Sequence, residues 1–168
     1  MTELLALDLG TQTGWAMGPL NASECISGTE SFALGRFDGG GMRFLRFERW
    51  LGEVLRTVNR VAYEEVRRHM GVDAAHVYGG MQAMLTKACE QRSIPYEGIP
   101  VGTIKKSLTG KGNANKALML AKARELGYAP VDDNEADAIA LWLLVRAQSE
   151  KATSRSSSGP SRKFSLVP

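Results

Sequence analysis

Leu4-Leu5-Ala6-Leu7-Asp8-Leu9-Gly10-Thr11 is an apolar run that carries one carboxylate and breaks at Gly10. Apolar residues without polar alternation fit a strand buried on both faces. A charge at the end of such a strand loses hydration, and that loss is costly unless something compensates it. A metal ion, a phosphate-bound metal or a basic partner would serve.

Two further segments repeat the pattern. Asn59-Arg60-Val61-Ala62-Tyr63-Glu64-Glu65-Val66 runs strand-forming residues into a carboxylate pair. Val131-Asp132-Asp133-Asn134-Glu135-Ala136-Asp137 opens the apolar helix that continues to Leu144. Acids in three separated segments, each beside core-forming residues, suggest a carboxylate cage. Hard oxygen donors of this kind suit Mg²⁺ or Mn²⁺. Two such ions, about 4 Å apart, serve phosphodiester cleavage by holding the attacking and leaving oxygens. Taken singly, each acid also reads as a helix cap or a surface charge.

The 168 residues suit one domain with a full core, and 43% hydrophobic and 23% charged residues describe an ordinary globular protein. Cys25 and Cys89 lack metal-type spacing and read as reduced thiols in a cytoplasmic setting. Glu3 and Asp8 interrupt any leader-like start, and no apolar stretch approaches membrane-spanning length. The net charge of +3 resides in Ser149 to Pro168, where Lys151, Arg155, Arg162 and Lys163 outnumber Glu150. The remainder is neutral, which argues against indiscriminate charge-driven binding but leaves room for a basic face beside an acidic pocket.

The order of elements reads as α/β. Strands are expected over residues 3–9, from Trp15, within 26–34, over 61–66 and over 96–101, with Thr11-Gln12-Thr13-Gly14 as a turn. Helical periodicity marks 42–58, 73–91, 103–108, 115–126 and 134–147. Arg43, Arg46, Arg49 and Arg56 read as a solvated face of the first helix. Gly79-Gly80 either weakens the second helix or marks close packing. The Ser-, Lys- and Arg-rich residues 149–168 are expected to form a disordered tail outside a domain of residues 1–148.

Four stretches together resemble the RuvC-type Holliday-junction resolvases of the RNase H-like superfamily, over roughly residues 4–147. Leu5 to Ala16 is similar to the family's first motif, Ala62 to Val66 to its second, Val101 to Lys116 to its basic segment, and Glu135 to Leu141 to its closing helix. The wording is similar to a phage or prophage branch. The resemblance implies a mixed five-stranded sheet with helices on both faces. It implies a homodimeric crossover junction endonuclease, active in recombination and repair, that cuts four-way DNA junctions symmetrically and leaves 5′-phosphates. Its setting would be the cytoplasm of a bacterial or phage-infected cell, with a mitochondrial setting also open.

By position, the resemblance makes Asp8, Glu64 and Asp137 the ligands of two Mg²⁺ or Mn²⁺ ions. Glu64 is preferred to Glu65 because it follows the matching Ala62-Tyr63 pair, and successive strand residues face opposite ways. Where the family has Asp or His three residues before the last Asp, this chain has Asn134. Either Asn134 or Asp133 then completes the set, while Asn134 also reads as an N-cap and Asp132 and Asp133 as helix-start acids. Lys105 and Lys116 are implied near the scissile phosphate, with Lys106 and Lys111 on the DNA. Gly110, Gly112 and Ala114 would permit close approach of a phosphate. The family's wedging aromatic after the second motif is replaced by Arg67-Arg68-His69-Met70, whose planar groups can also stack on bases. Two other readings stay open: a non-catalytic branched-DNA binder, and an actin-like ATPase using Asp8 to Gly14 as a phosphate loop.

Overall fold

A computed structural model describes residues 2–68 and 71–157. The elements run β1 (Glu3–Asp8), β2 (Gln12–Pro19), β3 (Ile26–Ser31), α1 (Gly41–Val54), β4 (Arg60–Glu65), α2 (Val72–Arg92), β5 (Tyr96–Pro100), α3 (Val101–Thr109), α4 (Lys116–Glu125) and α5 (Asp133–Ser157). The sheet order is β3-β2-β1-β4-β5, with β1 antiparallel to β2, β2 antiparallel to β3, and β1-β4-β5 parallel. The parallel pairs require crossovers, which α1 and α2 supply.

Strand alternation divides the core in two. Leu4, Ala6, Ala16 and Ala62 face α3, α4 and α5, where Ile104, Met119, Ile139 and Trp142 are buried. Leu5, Leu7, Val61 and Tyr63 face α1 and α2, where Phe47, Leu51, Met81 and Leu85 are buried. Each fully buried aliphatic side chain contributes about 1.5–3 kcal/mol. The three alanines leave room for α5 to lie close on the sheet centre, and Trp142 fixes it by donating its indole N–H to the Gly18 carbonyl at 3.2 Å.

The architecture is the expected one, helices on both faces included, with local differences. β2 begins at Gln12 rather than Trp15, because the buried Thr13 hydroxyl donates to the Gly10 carbonyl at 2.8 Å and tightens the turn. α1 ends at Val54, although Leu55 and Val58 still reach the core from the turn that follows. Gly80 marks close packing, since a Cβ there would come within 2.5 Å of the Phe44 ring. α5 continues to Ser157, so residues 149–157 are helical. A helix nucleated on a buried segment gains one bond for each residue added. Arg146 pairs with Glu150 at 2.9 Å, and the Thr153 hydroxyl donates to the Ser149 carbonyl at 3.0 Å. The rest of the expected tail, 158–168, and His69 and Met70 lie outside the described residues. No helix among the described residues is long and apolar enough to cross a membrane.

Candidate active site

The parallel register pairs Leu4 with Arg60 and runs to Leu7 with Tyr63. One step further sets Asp8 opposite Glu64, a strand spacing of about 4.8 Å away. Both belong to the face that carries Ala6 and Ala62, the side covered by α5. Asp133 and Asp137 stand one turn apart at the start of that helix. Glu65 takes the opposite face and binds Arg67 at 3.1 Å, away from the cluster.

Three of these acids are shifted by burial and by their neighbours. Burial, then Glu64, Asp137 and Asp133, push the Asp8 carboxyl well above the usual carboxylate range, against a smaller opposing pull from Lys116. Glu64 is pushed up to about 7 by burial and then by Asp137, with Lys105 opposing. Asp137 is pushed up to about 6 by burial, with Lys105 and Lys116 opposing and Asp133 adding to the rise. Lys116 is ion-paired with Asp133, and that hydrogen bond raises the pKa of its ammonium group. Lys105 and Lys116 thus lie within electrostatic reach of the acids. Lys106 and Lys111 are exposed on α3 and the loop after it, and Arg67 and Arg68 are exposed beyond β4.

Several residues that hold the cluster carry no local signal. Asp132, not Asn134, caps α5: its carboxylate accepts the Glu135 N–H at 2.9 Å and the Thr29 hydroxyl at 2.7 Å. Glu135 accepts the Val131 N–H and the Ser27 hydroxyl, each at 2.7 Å. The acidic stretch therefore splits by face, Asp132 and Glu135 tying α5 to β3 while Asp133 and Asp137 turn to Asp8. Asn134 presents its backbone to Gly14, where a Cβ would overlap its carbonyl and come within 2.9 Å of the Glu135 nitrogen. At the end of β4, the Tyr78 hydroxyl donates to the Glu64 carbonyl at 2.9 Å and accepts the Val66 N–H at 3.1 Å. Ser27 and Thr29, two apart on a polar strand, are the one sequence hint of this arrangement.

Raised carboxyl values make stability fall as pH rises. Between the ordinary Glu value of 4.5 and about 7, and the ordinary Asp value of 3.8 and about 6, the folded chain binds more protons than the unfolded one. Asp38, held low by the Gly35 N–H and Arg46, has the opposite sign but acts only below 3.8. In EDTA the protein should melt higher at pH 5 than at pH 8. Mg²⁺ or Mn²⁺ should restore most of the loss at pH 8, as read by differential scanning fluorimetry.

The donor set fits hard divalent cations: it is all oxygen, in charge surplus, and the buried Oδ1 of Asp137 has no hydrogen-bond partner. Among the described residues, no three or more His, Cys, Asp or Glu side chains stand close enough together to hold a metal ion.

No family model and no curated protein matches the sequence. Solved structures do. RuvC from T. thermophilus in complex with a Holliday junction substrate is similar at a TM-score of 0.75 and 21% identity, covering 91% of this chain and 98% of that one. A second Thermus thermophilus RuvC structure gives 0.68 and 21%, covering 89% and 97%. The yeast mitochondrial Holliday junction resolvase Ydc2 gives 0.55 and 13%, covering 93% and 83%. This chain, a mixed five-stranded sheet with helices on both faces, shares the fold of these RuvC structures.

Proposed function

We propose that the chain is a metal-dependent endonuclease that resolves four-way DNA junctions. The observation that carries this reading is the convergence of Glu64, Asp133 and Asp137 on the buried Asp8 at the end of β1, with Lys105 and Lys116 in reach. Asp8, Glu64 and Asp137 would hold two Mg²⁺ or Mn²⁺ ions. Asp133 is the better fourth candidate, since it raises both Asp8 and Asp137, whereas Asn134 brings no charge. When bound, such ions supply a nucleophilic water at neutral pH and stabilise a leaving 3′-oxygen, which gives 5′-phosphate products.

The chain's own groups do the rest. Lys105, facing Glu64 and Asp137, holds a phosphate oxygen of the scissile group and offsets charge that grows there. Lys116 exchanges Asp133 for phosphate when DNA arrives. Lys106, Lys111, Arg67 and Arg68, all exposed, meet flanking phosphates and set register without reading sequence. Two chains paired as a homodimer would supply the two sites that symmetrical cutting needs.

The test is a synthetic four-way junction incubated with the full chain in Mg²⁺, in Mn²⁺ and in EDTA. Paired nicks bearing 5′-phosphates, lost in EDTA, are expected. Tight binding without nicking under either metal would leave a branched-DNA binder instead. Saturable ATP binding would favour the actin-like reading instead.

A further inference from the structure

We propose that the loop between β3 and α1 is a base-stacking element, in which Phe37 and Arg36 take an unstacked base of the bound DNA. This rests on the reading of the chain as a branched-DNA nuclease and adds a contact which that reading does not require. Phe37 is 92% exposed, and the Arg36 guanidinium lies over its ring at 5.5 Å from the centroid.

The loop is held in place at both ends. Phe32 is buried edge-on against Phe47, and its N–H donates to the Thr11 carbonyl at 2.7 Å. Arg43 donates to the Phe32 carbonyl at 3.2 Å, and Arg46 to the Ala33 carbonyl at 2.9 Å and the Asp38 carboxylate at 2.7 Å. Asp38 closes the turn by accepting the Gly35 N–H at 2.7 Å. With Asp38 matched by Arg46, the charge left beside Phe37 is positive. The first turn of α1 has no side-chain cap and no acid, so its partial positive charge adds to that of Arg36.

Gly39, Gly40 and Gly41 have nothing within 4 Å of a built Cβ, and none has a positive φ. Neither packing nor backbone conformation calls for glycine there. What the three glycines provide is a surface bare of side chains next to an aromatic ring. A ring with a guanidinium over it, a positive surround and an open approach suit a nucleobase and its phosphate. The place also fits. The loop leaves β3 at the edge where β1 ends in Asp8, since Ser31 pairs with Gln12. β3 lies two strand spacings, about 10 Å, from β1. At roughly 3.4 Å per nucleotide, the stacked base would lie about three nucleotides or more from the cut.

The test uses the full chain, in Ca²⁺, with four-way junctions carrying 5-iododeoxyuridine at single positions along each arm, from about three nucleotides beyond the cut outwards. Irradiation should place the adduct on the peptide containing Phe37. Phe37→Ala should lose the adduct and bind the junction about tenfold more weakly or worse, with unchanged melting, and Phe37→Tyr should restore both. Cleavage by the wild type with no adduct at Phe37, and Phe37→Ala binding at wild-type strength, overturns the stacking role alone. An adduct at Phe37 without cleavage in Mg²⁺ or Mn²⁺ supports stacking and overturns the nuclease reading.

Discussion

Asp8→Asn should lower junction cleavage by about 10³-fold or more while junction affinity stays within about twofold. The amide keeps the shape of the carboxylate and removes its charge from the centre of a four-acid cluster. The DNA contacts proposed for Lys106, Lys111, Arg67 and Arg68 are exposed on other segments and are left intact. Stability should move the other way. Burial and then three neighbouring acids hold the Asp8 carboxyl well above the usual range, so its ionised form opposes folding at neutral pH. In EDTA at pH 8 the variant should therefore melt higher than the wild type, and Mg²⁺ should raise its melting temperature less. This pairing of lost activity with gained stability separates a ligand from a residue that merely supports the fold. Cleavage at the wild-type rate would remove Asp8 from the reaction. A lowered melting temperature in EDTA would make its role structural.

The pairing of Asp8 with Glu64 is legible in the sequence because a strand has only two faces. Once β1 and β4 are parallel neighbours, the residues beside Ala6 and Ala62 must share one side. The division of labour within Asp132 to Asp137 is not legible. Four acids fall within two helical turns, and the local pattern treats them alike. What sorts them is β3, whose Ser27 and Thr29 lie more than 100 residues away in sequence. The arginines of α1 show the same limit: periodicity puts Arg43 and Arg46 on a solvated face, yet both reach back to carbonyls of the loop before the helix. Residues 149–157 read as tail because composition reports the absence of a core-facing stripe. It does not report that the preceding turns, buried around Trp142, already hold the helix in register.

Gly14→Ala should unfold or displace what the acids depend on, although it adds one methyl group. The new Cβ would overlap the Asn134 carbonyl, and neither side can yield cheaply because both are backbone. On one side, Gly14 pairs with Asp8 across β1 and β2, so moving β2 moves the strand end that carries the central acid. On the other, α5 is tied to β3 through Asp132 and Glu135 and to β2 through Trp142. Overpacking of this kind costs about 3 kcal/mol or more. If the chain folds by letting α5 lift, Asp133 and Asp137 withdraw from Asp8 and Glu64. A shift near 1 Å would then cost about 10²-fold in cleavage. Thermal melting and junction cleavage read the two outcomes separately. Gly52→Ala is the matched control: it lies within α1 with open space around it and should stabilise by about 0.5–1 kcal/mol. A Gly14→Ala protein that melts and cuts like the wild type would mean that the seating of α5 on β2 does not set the distance between the acids.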